Sequence, residues 1–147
     1  MKKVLLVAFS LTLFTQLVGC SSSSAKLKDG EYTAEHAEFD DQGWKPIANV
    51  KVADGKIAEV SFDAINQEGG INKKELSIAG GYDMKTAGAQ SDWHEQIKLA
   101  EDELVKTQDP AKLSYTDQDG HTDAISGCTI TVKEYYTVAQ QAIDQAK

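Results

Sequence analysis

The chain has 147 residues, with 15 lysines, no arginine and 23 acidic residues, for a formal net charge of −8. That balance argues against a nucleic-acid binder, which needs a basic face to displace counterions, and against adsorption onto anionic lipid through a basic patch. With 41% hydrophobic and 26% charged residues the chain has the makeup of a folded protein, not a disordered one, and its length suits one domain.

In chain order, "MKK" is a short positive region followed by the apolar run "VLLVAFSLTLFTQLV". The run is short for a helix that must cross about 30 Å of hydrocarbon, so residues 1–19 are predicted to be a signal peptide. It ends in "LVGC", which resembles the lipobox of bacterial lipoproteins. That resemblance implies cleavage before Cys20 and a lipid on its thiol. Processing would leave 13 lysines against 23 acids, a net charge of −10. Residues 20–27, "CSSSSAKL", then form a polar tether. With Cys20 lipidated, Cys128 has no partner in the chain and no internal disulfide is expected.

"GEYTAEHAEF" (30–39) is predicted as a first strand and "DDQGWKP" (40–46) as a turn bearing Trp44. "IANVKV" (47–52) and "IAEVSFDAI" (57–65) alternate as strands, joined at an Asp-Gly pair suited to a tight hairpin turn. The glycine-rich stretch 66–90 is expected to be a long loop with short pieces of structure, and long loops are often functional. "SDWHEQIKLAEDELVK" (91–106) is predicted helical, with Asp92 and Glu95 at capping-box spacing and Trp93, Ile97, Ala100 and Leu104 on one stripe. Pro110 stops it. Residues 113–125 offer one or two short strands around a second Asp-Gly turn. Residues 131–146 predict a last helix, capped by Thr131 with Glu134 and lined by Val132, Tyr135, Ala139 and Ile143. A run of strands followed by helices predicts an α+β fold: an antiparallel meander packed with two main helices.

The chemistry-bearing stretch is "DAISGCT", Asp123 to Thr129. It places small residues and a hydroxyl before a helix, where free amides and the dipole favour an anion such as a phosphate. A plain helix-start turn would use the same residues. The stretch resembles the Asp-x-x-Ser/Thr-Gly-Ala-Thr/Ser motif of FMN-binding domains modified by a flavin transferase. "DGEYTAE", "VKVADGKIAEVSF" and "SGCTITVKEYYTVAQQAI" extend the likeness over residues 28–147, which would be the FMN-binding domain. The resemblance implies FMN joined by a phosphoester to Thr129, with Asp123, Ser126 and Gly127 as the recognised motif. Cys128 departs from the pattern's alanine, though cysteine behaves as a small apolar residue.

Trp44, Tyr82, Trp93 and Tyr115 are the candidate stacking partners of the ring, and Met84 and Lys85 share the glycine-rich loop. Trp93, Tyr135 and Tyr136 also suit the core. The lipobox and the FMN-binding motif together resemble the lipid-anchored flavoproteins of extracellular electron transfer. They imply a monomer held by its lipid on the extracytoplasmic face of the cell membrane, meeting a flavin transferase. It would relay electrons from a membrane quinol or NADH dehydrogenase to an extracellular acceptor, as a carrier and not a turnover enzyme. The alternative is a surface lipoprotein that binds a small ligand or protein without covalent flavin. Asp117, Asp119 and Asp123 do not fit a calcium loop, because Thr122 and Cys128 stand where it needs glycine and glutamate. The histidines at 36, 94 and 121 are scattered, and no zinc site is expected.

Overall fold

The computed structural model describes residues 26–147. The signal peptide and Cys20 lie outside the described residues. Three strands, β1 (Gly30–Glu35), β2 (Trp44–Ala53) and β3 (Lys56–Asn66), form an antiparallel sheet in chain order. A two-residue turn joins β2 to β3, with Asp54 at φ 55° and Gly55 at φ 75°. Both left-handed values match the twist of a tight hairpin, which is what the Asp-Gly pair predicts. The register pairs Val50 with Val60 and Ala48 with Phe62, and it shifts by one between Lys51 and Val52. That irregularity lets Ile57 and Val60 both face inward despite their odd spacing.

Two helices cover one face of the sheet: α2 (Trp93–Thr107) packs on β3 and α3 (Lys133–Asp144) on β2 and β1. A short helix, α1 (Lys73–Ile78), lies in the glycine-rich stretch, and a 3-10 turn follows α2 at Pro110–Lys112. The architecture is α+β, as the order of patterns predicts. Ala48, Val50 and Phe62 from the sheet, Ile97 and Leu104 from α2 and Val138 and Ala139 from α3 are fully buried. Phe62 packs obliquely against Tyr135 and Tyr136, with ring centroids 5.8 and 5.7 Å away. Tyr136 also donates to the Ala100 carbonyl at 2.9 Å, fastening α3 to α2. Among the described residues, no helix is long and apolar enough to cross a membrane.

The free edge of β3 is closed by side chains of α2. Glu101 accepts from the Phe62 amide at 2.8 Å and from Lys74 Nζ at 2.6 Å. Gln108, the left-handed C-cap of α2, accepts from the Ile57 amide at 2.8 Å and donates to its carbonyl at 2.7 Å. An edge strand satisfied this way offers no template for a further strand.

Three expectations need correction. Trp44 is not in a turn: it opens β2 and is buried, because the Asp40 carboxylate takes the Gln42 and Trp44 amides and ends the loop early. Residues 113–125 form no strand. Thr122 Oγ1 serves the Ser114 carbonyl and the Ala124 amide, and Asp117 serves the Gly120 and His121 amides, so side chains replace a ladder. Thr131 does not cap α3. The N-cap is Val132, without a side-chain cap, because that residue is buried and its amide donates to the Gly120 carbonyl at 2.9 Å.

Candidate flavin-attachment site

Thr129 is exposed at the edge of a cleft of about 430 Å³ lined by Gly88, Ala89, Gln90, Ser91, Gln96 and Gly127. It stands beside the first turns of α2, not at the start of α3, which begins four residues later. The threonine is held by Gln96, a residue of α2 that is 1% exposed. Its amide oxygen accepts from the Thr129 amide at 2.7 Å and from Thr129 Oγ1 at 3.1 Å. The Gln96 nitrogen donates to the Ser91 carbonyl at 2.9 Å. One buried side chain therefore ties the motif loop, α2 and the end of the glycine-rich loop together. Sequence reasoning missed Gln96. The signal was a polar residue at the position before Ile97, on the flank of an apolar stripe, where glutamine is rarely fully buried.

The rest of the motif divides by face. Asp123 and Ser126 are exposed, and Ile125 and Cys128 point into the core. Burial pushes the Cys128 thiol above its ordinary range, which makes it a packing group with little thiolate at neutral pH. Because Cys128 and Thr129 face opposite ways, the cysteine does not crowd the hydroxyl. Gly127 has φ +82°, a left-handed value that a side chain rarely adopts. It bends the chain so that these two neighbours can separate.

The aromatic candidates form a cage around a lysine. Lys73 Nζ lies over the rings of Trp44, Tyr82 and Trp93, 5.4, 4.6 and 5.3 Å from their centroids. Lys73 is buried, and among the described residues no carboxylate closes a salt bridge to it. Loss of water lowers its pKa, an effect that Asp40 partly offsets. Desolvation raises the Tyr82 phenol, with a contribution from Asp40. The three rings are thus engaged as acceptors of a cation, an arrangement worth more when desolvated. Trp93 also packs on Tyr135 at 5.8 Å, as a core residue does. Tyr115 is half-buried against the core.

The segment from Tyr82 to Ser91 is pinned at the foot of α2. Asp92 accepts from the Met84 and Lys85 amides at 3.0 and 3.2 Å, and Glu95 accepts from the Asp92 amide at 2.9 Å, the expected half of a capping box. Lys85 bridges Asp92 and Glu95 at 3.3 and 2.6 Å. Met84 packs against the core beneath. These contacts place Gly88 to Ser91 opposite Thr129 and so build the second wall of the cleft. Asp117, Asp119 and His121 come within 4.8 Å of one another, but Asp117 is used by the His121 ring at 2.7 Å and by turn amides. The cluster is a hydrogen-bonded turn.

The residues around Thr129 fit a flavin nucleotide attached at one end. The hydroxyl is exposed and oriented, and the cleft falls within the usual range for small-ligand sites.

The chain is similar to the "15 kDa lipoprotein" of Treponema pallidum, 23% identical over 139 residues covering 95% of this chain and 89% of that protein. It is also similar to a Clostridium thermocellum protein solved by NMR, with 48% identity and a TM-score of 0.64 over 82% of this chain and 93% of the other. A crystal structure of a Clostridium perfringens protein matches with 30% identity and a TM-score of 0.60 over 82% and 88% of the two chains. Residues 44–144 match the FMN-binding domain family, which spans both walls of the cleft, Gln96 and the Asp123–Thr129 motif, and the chain is a member of that family.

Proposed function

We propose that the protein is a lipid-anchored flavoprotein of the extracytoplasmic face of the cell membrane, carrying FMN through a phosphoester on Thr129. In this reading it relays electrons from a membrane quinol or NADH dehydrogenase to an extracellular acceptor. The observation that carries the attachment is the exposed Thr129 hydroxyl, fixed by a buried glutamine at the lip of a ligand-sized cleft. The lipobox at Cys20 and the lipoprotein relative support the anchor.

Gln96 orients the acceptor. Its carbonyl oxygen accepts a hydrogen bond from Thr129 Oγ1 at 3.1 Å, which fixes the direction of the hydroxyl and leaves the oxygen's lone pairs free to attack. Attachment would join Oγ1 to the flavin-side phosphorus of a flavin dinucleotide held by the transferase and break that phosphorus's anhydride bond. The other nucleotide would leave as its monophosphate and the hydroxyl proton would pass to solvent. After esterification the Thr129 amide still donates to Gln96, so the loop keeps its place. FMN supplies one- and two-electron chemistry when bound. A covalent link suits an extracytoplasmic site, because the occupancy of an unlinked site follows the free ligand concentration, which is low there. Gly88 and Ala89 wall part of the cleft with little or no side chain and leave room there for the nucleotide.

The test is intact mass after co-expression with a flavin transferase. The wild-type chain gains about 440 Da and turns yellow, whereas Thr129→Ala gains nothing. A colourless, unmodified wild type under those conditions overturns the attachment and leaves a surface lipoprotein that binds its ligand or partner without covalent flavin.

A further inference from the structure

Four of the protein's 15 lysines, Lys26, Lys56, Lys112 and Lys147, line one open cavity of about 830 Å³, together with the carboxylates Asp54 and Asp109. In a chain whose acids outnumber its lysines, this is an inversion of the local balance. Asp109 is further engaged by the Ala111 amide, and Lys147 pairs with Asp144 on the rim. The other three ammonium groups form no salt bridge among the described residues. Lys26, Lys56 and Lys112 are all exposed.

The position of this cavity in the fold gives the charge a meaning. It lies at the C-terminal end of α2, where Thr107 and Gln108 contribute to its wall, whereas the Thr129 cleft lies against Gln96 near the other end. Gln96 and Gln108 stand twelve residues apart, about 18 Å along the helix axis. The chain enters the domain at the lysine end. The Lys26 side chain lies across Gly55, where an added Cβ would fall 2.0 Å from Lys26 Cγ, and the Lys28 amide donates to the Ala146 carbonyl at 2.7 Å. Cys20 is six residues before Lys26 in the sequence, so a lipid on it lies within roughly 20 Å of the cavity even with the tether fully extended.

We infer that the lysine-lined cavity is a docking surface for the phosphates of anionic lipid headgroups, which holds the domain with the Thr129 cleft facing away from the membrane. The inference rests on the lipid anchor at Cys20 proposed above. The net charge of the whole chain opposes adsorption, but the anchor already confines the domain to the surface. The lysines need only choose which pole turns inward, and a surface charge acts over about one Debye length. With the tether pole inward, the attachment threonine remains open both to a modifying enzyme and to an electron acceptor outside the membrane.

The experiment uses the full chain processed and lipidated in a lipoprotein-maturing host, reconstituted in vesicles of phosphatidylcholine alone or with phosphatidylglycerol. Brief acetylation with an N-hydroxysuccinimide ester, read by peptide mass, reports the exposure of each lysine. On phosphatidylglycerol the labelling of Lys26, Lys56 and Lys112 should fall about fivefold relative to phosphatidylcholine, while Lys85, beside the Thr129 cleft, is unchanged. High salt and the double variant Lys56→Gln, Lys112→Gln should both abolish the protection at Lys26. Protein that stays on both vesicle types with identical labelling refutes the docking surface and leaves the anchor intact. Protein that leaves both vesicle types refutes the anchor and the docking surface together. Protection of Lys85 in place of the three lysines shows the opposite pole inward and also refutes the inference.

Discussion

Replacing Gln96 with leucine tests how the site is held. The side chain is 1% exposed and makes three hydrogen bonds, to the Thr129 amide, Thr129 Oγ1 and the Ser91 carbonyl. Leucine has a similar volume, so the packing loss is small. The cost comes from the Thr129 amide and Ser91 carbonyl left without partners. Thr129 is exposed and Ser91 half-buried, so water replaces part of each bond. The expected destabilisation is therefore about 1–3 kcal/mol, at the level of one or two unsatisfied groups. Urea unfolding should show a lower midpoint with an unchanged slope, because the surface exposed on unfolding stays the same. The functional effect should exceed the stability effect. Without Gln96 the Thr129 hydroxyl is free to rotate, and purified variant mixed with a flavin transferase should gain mass about tenfold more slowly than wild type, where one lost orienting bond of ~1.4 kcal/mol sets the ratio. Gln96→Glu keeps the acceptor but faces the Ser91 carbonyl with a buried carboxylate, so it should fold less stably than the leucine variant. Wild-type modification rates in a folded Gln96→Leu protein would refute the idea that this amide positions the acceptor.

Gly127→Ala forces a side chain onto a residue at φ +82°; it should cost about 1 kcal/mol in thermal or urea unfolding and slow modification of Thr129, while Ser126→Ala, with an exposed side chain, should leave stability unchanged. The carboxyls of Asp92 and Glu95 are held below their usual range, Glu95 chiefly by Lys85 and Asp92 by the Lys85 and Met84 contacts that outweigh its desolvation. A carboxyl with a depressed folded pKa contributes stability above its unfolded value and loses it as pH falls, so the exchange protection of the amides at residues 84–91, relative to their intrinsic rates, should fall below about pH 4 before that of the core. Lys73 has its pKa lowered in the fold, so the folded protein releases that proton before the unfolded chain does. Stability should then rise as pH climbs from the lowered value toward 10.5, and Lys73→Met, which fills the aromatic cage without charge, should remove that rise while changing neutral-pH stability by no more than about 1 kcal/mol.

The sequence by itself determined what depends on near neighbours. Alternation at Ala48, Val50 and Val52, the Asp54-Gly55 turn, the Trp93-Ile97-Ala100-Leu104 stripe and the Asp123–Thr129 motif are all legible because strand period, turn chemistry and helix period are local. The resemblance of Asp123–Thr129 to a flavin-attachment motif also points to the threonine proposed here as the attachment residue. Only the tertiary structure decided which element holds that threonine. Spacing assigned it to the start of α3, but its partner is Gln96, 33 residues earlier on α2. Thr131 likewise has the spacing of a cap without the role, because burial of Val132 and a bond to Gly120 set where α3 begins. The lysine within the ring of Trp44, Tyr82 and Trp93 was invisible for the same reason: four residues from β2, α1, α2 and the loop between the helices converge only when the sheet face is covered. Charge was legible as a total but not as a distribution, since four lysines at positions 26, 56, 112 and 147 share a cavity only after Lys26 and Leu27, the C-terminal residues and the hairpin turn meet beyond the end of α2. Periodicity fixes which face of an element is buried, whereas long-range contacts choose what that face meets.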